Sequence, residues 1–299
     1  MHALWLLAAA AASRALRCTA QPGPAAAAPG PSTRRIPDRL LFNHRVNLLK
    51  RPKRDRDRAA NVRRTIGLVH GVSEVQFLDD DECSTLIAST HSQRLASYFD
   101  EEPIGMYKSD ICRLAQLAAG GYYLDTDLEV LRDFRTTLPE EVDFVSVIAF
   151  QWIGPKNPNE MYNAFIGAAA GHPVVRRAMD MCLEYYDGRN RTLVTALGEH
   201  MRGTMLMRMA YEEWAGEEMA SGPQVRPPSG LSYFWDEERL NQDVYPDVVP
   251  QEGEGTNCNV AVVDRSQQVA LFFSHSVGRT TSCRPRGSGI SASRSSAEL

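Results

Sequence analysis

Between Lys108 and Phe134 the chain reads KSDICRLAQLAAGGYYLDTDLEVLRDF, and this stretch constrains the fold most. The apolar run Tyr122-Tyr123-Leu124 leads straight into Asp125-Thr126-Asp127. Carboxylates at i and i+2 of an extended segment point to one side. At the exposed end of a buried strand such a pair suits a divalent cation, and hard oxygen ligands favour Mg²⁺, Mn²⁺ or Ca²⁺. A cation there could hold a diphosphate. Upstream, Ser109 can cap a helix and Asp110 fits its first turn. Ile111, Leu114, Ala115 and Ala118 recur at helical spacing, and Gly120-Gly121 end the helix. Asp110 and Arg113, three apart, share a helix face. Arg113 can contact phosphate or sugar oxygens, and Asp110 can accept from sugar hydroxyls.

Strands and helices alternate along the chain. Arg39–Phe42 and Glu74–Leu78 read as strands, Asp81–Phe99 as a helix, and Asp143–Phe150 as a buried strand. Val174–Tyr186 and Arg202–Trp214 read as helices, and Val260–Val263 with Val269–Phe273 as a strand pair. This predicts an α/β sheet flanked by helices, with ligands beyond the carboxyl ends of its strands, where Asp125 and Asp127 fall. The basic stretch Lys50–Arg64 reads as a solvated loop and helix start.

The order Ser109, Asp110, Arg113, Gly120, Gly121, Tyr123, Asp125, Asp127 resembles the DXD sugar-transferase family. That family includes fungal Golgi α-1,6-mannosyltransferases, vertebrate α-1,4-galactosyl- and N-acetylglucosaminyltransferases and, more distantly, clostridial glucosylating toxins. Phe77–Cys83 is similar to its upstream strand and acidic turn. Asn163–Gly167 and Gly171-His172-Pro173 are similar to its N-x-F/I and G-H-P elements. Ser274-His275 through Cys283 resembles its C-terminal H-x-x-G-S-W element, with Cys283 in the tryptophan position.

The resemblance implies a GT-A-like, Rossmann-related nucleotide-sugar fold with a mostly parallel sheet, over residues 36–283. It implies transfer of a hexose from a UDP- or GDP-sugar to a glycan, glycolipid or protein, with retention. Asp127 is the first candidate for direct contact with Mn²⁺ or Mg²⁺. Asp125 is assigned to the ribose, the donor sugar or a metal-bound water, and Asp110 and Arg113 to the donor sugar. Tyr123 would pack nearby, and His275 would touch metal or diphosphate. Two other readings compete: a non-catalytic nucleotide-sugar-binding or carbohydrate-binding relative, and a haloacid-dehalogenase-type phosphohydrolase with its own strand–D-x-D. Plainer roles also exist: a turn for His172 and Asn163, and core or surface packing for Trp152 and Trp235.

The net charge of −4 gives no sign of nucleic-acid binding. Residues 1–37 contain no acidic residue, and Leu4–Ala12 is apolar but too short to span a bilayer. It fits a secretory signal or short signal anchor that could associate with a membrane, with an organelle transit peptide as the alternative. Together with the family resemblance, this implies a secretory-pathway location in the Golgi lumen. Residues 1–35 form this segment and a Pro/Ala/Gly-rich linker, and 284–299 a disordered tail. Cys112 reads as a buried thiol, whereas Cys258 and Cys283 could bridge in an oxidising lumen.

Overall fold

A computed structural model describes residues 34–149, 160–197, 202–226, 230–249, 251–252, 258–274 and 284–285. The signal-like segment, Trp152, His275, Cys283 and most of the tail lie outside them. The elements in order are β1 (Arg39–Asn43), α1 (Arg56–Leu68), β2 (Glu74–Leu78), α2 (Asp80–Thr90), α3 (Gln93–Glu101), α4 (Gly105–Leu117), β3 (Gly121–Leu124), β4 (Glu129–Val130), β5 (Phe144–Ile148) and β6 (Phe165–Ala168). Then come α5 (Pro173–Tyr186), α6 (Arg191–Leu197), α7 (Arg202–Ala215), β7 (Gly222–Arg226), β8 (Gly230–Arg239), β9 (Gln251–Glu252), β10 (Val260–Asp264), β11 (Val269–Phe273) and β12 (Arg284–Pro285).

One sheet runs β2-β1-β3-β6-β5-β8-β10-β11-β4, with β7 paired to β8; β9 and β12 pair separately. The α/β class holds, but the sheet is mixed rather than mostly parallel. Only β1/β2, β1/β3 and β5/β8 are parallel among the described residues. The tight turn between β10 and β11 is too short for the crossover of a dozen or more residues that a parallel pair requires.

Period-2 alternation divides the core between the two faces of the sheet. Leu41, Tyr123, Phe144 and Ile166 pack with residues of α2–α7 on one face. Leu40, Phe42, Tyr122, Leu124, Phe165 and Trp235 join α1 residues on the other. Trp235 is a core residue, 1 % exposed.

Several elements depart from expectation at their ends. The helix predicted over 81–99 is two helices, broken where Ser92 caps α3 by accepting from Leu95 N at 3.2 Å. Helix α4 begins at Gly105, so Ser109 and Asp110 sit inside it, not at its start, and Ile104 at its N-cap makes no side-chain cap bond. Its end is as expected: Gly120 takes φ +79°, and a Cβ there would lie 2.7 Å from Ala170 N. A side chain is excluded by both conformation and space. Cys112 is not a thiol. It is bridged to Cys83, Cα–Cα 5.4 Å, tying α4 to α2. Cys258 is also disulfide-bonded, and its partner lies outside the described residues.

Candidate functional site

β1 and β3 run side by side in parallel, so their carboxyl ends, Asn43 and Asp125, reach the same edge. Asp125 N donates to Ala164 O at 2.8 Å and Leu128 N donates to Asp125 O at 3.1 Å, which fixes the turn carrying both aspartates. Helix α1 clamps that turn from outside. Asn61 Nδ2 donates to Thr126 O at 3.0 Å and to Leu128 O at 2.8 Å, and Asn61 is buried.

Arg113, 3 % exposed, is the hub of the first cluster. Its Nη2 lies 3.2 Å from both Asp110 Oδ1 and Asp125 Oδ1 and 3.1 Å from Ser109 Oγ. Its Nη1 donates to Asn163 O, and its guanidinium lies over the Tyr123 ring, 4.6 Å from the centroid. Tyr123 OH donates to Asp125 Oδ1 at 2.6 Å, and Ser109 Oγ donates to Asn43 Oδ1 at 2.7 Å. Burial raises the Asp125 carboxyl above its usual range; Arg113 opposes this and Asp127 adds to it. Asp125, Tyr123, Asp110 and Asp127 together hold Arg113 charged despite its burial.

The second cluster is Asp127 with Arg58 and Asp55. Arg58 Nη2 lies 3.2 Å from Asp127 Oδ2, and Arg58 Nη1 lies 2.6 Å from Asp55 Oδ2. The basic stretch read as a solvated face therefore sends one arginine into the site. A cleft of about 870 Å³ is lined by both clusters, including Arg58, Ser109, Arg113, Asp125 and Asp127. It falls within the ~300–1,000 Å³ typical of small-ligand sites.

Asp110 does not line that cleft. Its Oδ1 accepts from Asn163 Nδ2 at 2.7 Å, and it also accepts from the backbone of Gly203 at the start of α7. A Cβ on Gly203 would lie 2.2 Å from Asp110 Oδ2, so only glycine permits this approach. Burial first, with Asp125 adding, raises Asp110 to about 6 against the pull of Arg113. Asp110 thus braces Arg113 from behind, in contrast to the expected contact with sugar hydroxyls.

His172 caps α5, its Nδ1 accepting from Val174 N at 3.3 Å, which is the turn role expected for it. The reading by sequence missed Arg58, Asp55, Asn61, Asn43 and Gly203. Asp55, Arg58 and Asn61 recur at helical spacing on one face of α1, but nothing in the local pattern aims that face at residues near 126.

Two hard carboxylates fit a divalent cation. Tyr123 and Arg113 occupy Oδ1 of Asp125, and Arg58 occupies Oδ2 of Asp127. The other oxygen of each carries no hydrogen bond among the described residues. No group of three His, Cys, Asp or Glu side chains is arranged for a metal among the described residues. Water and ligand oxygens would complete the coordination, as is usual for Mg²⁺-like ions.

One comparison with known proteins falls on the same segment. Residues 64–144 match the family model described as a glycosyltransferase sugar-binding region containing a DXD motif. The matched segment runs from the end of α1 to the start of β5 and is similar to that family; no particular member is singled out. Comparison with curated proteins returns no match. Among solved structures, the PaToxG glycosyltransferase is similar at 14% identity and TM-score 0.40, over 60% of this chain and 70% of that one. The UDP-bound glycosyltransferase domain from the YGT toxin is similar at 15% identity and TM-score 0.27, over 56% of this chain and 45% of that one. Asn43, Arg58, Asn61, Asn163 and Gly203 lie outside the segment matched by the family model.

Proposed function

We propose that the protein is a divalent-cation-dependent glycosyltransferase that moves a hexose from a nucleotide-sugar donor to a glycan, glycolipid or protein acceptor. The observation that carries this is the pairing of Asp125 and Asp127 at the wall of one cleft, beside the buried Arg113, within a segment of DXD-transferase sequence. A cation such as Mn²⁺ or Mg²⁺, held by Asp127 and, directly or through water, by Asp125, would supply Lewis-acid stabilisation of the leaving diphosphate. Arg113 is fixed by Asp110, Asn163 and Tyr123, so its charge is pre-aimed at the donor and costs little reorganisation during reaction. Ser109 on α4 and Asn43 at the end of β1 are placed to bind donor hydroxyls.

No carboxylate in the cleft stands out as a covalent nucleophile. Retention by a front-face route, with the leaving diphosphate taking the acceptor proton, is the reading we favour. A secretory-pathway location, in the Golgi lumen, is part of the proposal. The apolar N-terminal run supports it, as does the Cys83–Cys112 bridge, since disulfides persist in oxidising compartments.

The test is donor hydrolysis and transfer with a panel of UDP- and GDP-sugars, with and without Mn²⁺. Asp127→Asn is expected to lower turnover at least a hundredfold while leaving the far-UV spectrum and melting temperature near wild type. Near-wild-type turnover in that variant removes the metal assignment. Donor binding without any hydrolysis or transfer would select the non-catalytic alternative.

A further inference from the structure

Arg58 stands where a cation would be drawn. Its Nη2 occupies Oδ2 of Asp127, while Asp55, the N-cap of its own helix, anchors Nη1 at 2.6 Å. The side chain is 16% exposed and lines the cleft. Of the four carboxylates in the cleft lining, Asp55, Asp125 and Asp127 pair with Arg58 and Arg113, and Asp80 pairs with Lys108; Arg45 and Arg54 line the cleft as well. A bare divalent ion at this pair would meet a site already largely neutralised, with a positive group on the same carboxylate. Like charges a few ångströms apart in a partly dry cleft repel strongly. A diphosphate, carrying two or more negative charges, removes that conflict and offers oxygen acceptors to the guanidinium.

Resting on the DXD reading above, we propose that Arg58 is a positioning residue that makes divalent-cation binding conditional on the nucleotide diphosphate. In the free protein Arg58 holds Asp127 in place of a metal. When a nucleotide diphosphate is bound, Arg58 pairs with its phosphate oxygens and leaves Asp127 to the cation. The consequence is that metal and nucleotide bind together, with weak affinity for metal alone.

The experiment is Mn²⁺ binding to the full chain by electron paramagnetic resonance, without nucleotide and with saturating UDP, with GDP in a parallel arm. Arg58→Gln is expected to bind Mn²⁺ alone about tenfold more tightly than wild type, and the enhancement of Mn²⁺ binding by nucleotide should shrink by a similar factor. Arg58→Lys, which keeps the charge, should stay near wild type. Arg58→Met, neutral and of similar length, should repeat the glutamine result, so the conclusion does not hang on one variant folding. Unchanged or weaker binding of Mn²⁺ alone in the neutral variants, with Asp127→Asn abolishing Mn²⁺ binding, overturns the role of Arg58 and spares the metal site. Absence of Mn²⁺ binding to wild type, even with UDP or GDP, overturns the metal site and this proposal with it.

Discussion

At the scale of single residues, the candidate site is a set of charges whose protonation is governed by burial. Asp110 is raised to about 6, mainly by burial. Its side chain is 15% exposed. Between the ordinary carboxylate range and about 6, the folded chain therefore holds a proton that the unfolded chain has lost. Stability then falls as pH rises through this window, because the native state binds more protons there. The contribution of Asp110 reaches roughly 3 kcal/mol once it is ionised in both states. Asp110→Asn should remove that share. Urea unfolding at pH 4.5 and pH 7 is expected to show the variant gaining stability relative to wild type at the higher pH. An equal difference at both pH values would show that Asp110 titrates normally.

The residue scale also marks the limit of local reading. Asp125 and Asp127 are legible because the apolar strand before them and their own spacing suffice to pair them. Arg58 and Asp127 are far apart in sequence, and neither one's neighbours carry any trace of the other. Asp110 and Arg113 were legible as a helix-face pair. Their orientation was not, because the choice between cleft and interior is made by Gly203 and Asn163 from distant elements.

At the scale of elements, α1 is the external support of the turn that carries Asp125 and Asp127. Asn61 makes the two side-chain bonds that reach that turn's carbonyls. Asn61→Ala leaves both acceptors buried and unpaired, at a cost of about 1–3 kcal/mol. Thermal denaturation should show that loss, and Mn²⁺ binding in the presence of UDP should weaken as the turn loosens. A stable variant with unchanged Mn²⁺ affinity would mean that β3 alone holds the turn. Helix α4 was visible from its periodicity, α2 as the first part of a longer helix, and α1 only as a helix start. The break between α2 and α3 was not, because it comes at His91-Ser92 without glycine or proline. Strand β8 was also missed. Its second half, Asp236-Glu237-Glu238-Arg239, is fully charged, yet Asp236 and Glu237 are buried. Asp236 accepts from Ser221 and pairs with Arg265, partners that only the folded chain brings near.

At the scale of the whole molecule, one continuous mixed sheet separates two apolar layers, and the site lies at the edge where β1 and β3 end. Trp235 on β8 packs against Phe134, Phe165 and Phe272 in one of those layers. Trp235→Ala should cost about 3–5 kcal/mol, as large core truncations do. Trp235→Phe should cost well under half of that. It keeps a ring in place and deletes an indole N–H that has no hydrogen-bond partner among the described residues. Chemical denaturation of the two variants checks the contrast, and equal losses would show that the indole N–H is in fact paired.

The strand, the glycine stop and the carboxylate pair were set by the chain's local chemistry, because backbone sterics, alternation and helical period act over a few residues. The mixed sheet order, the inward turn of Asp110, the Cys83–Cys112 bridge and the Arg58 contact to Asp127 were set by packing. Each depends on groups distant in sequence, and burial of the two apolar layers, acting over the whole sheet, decides which of them meet.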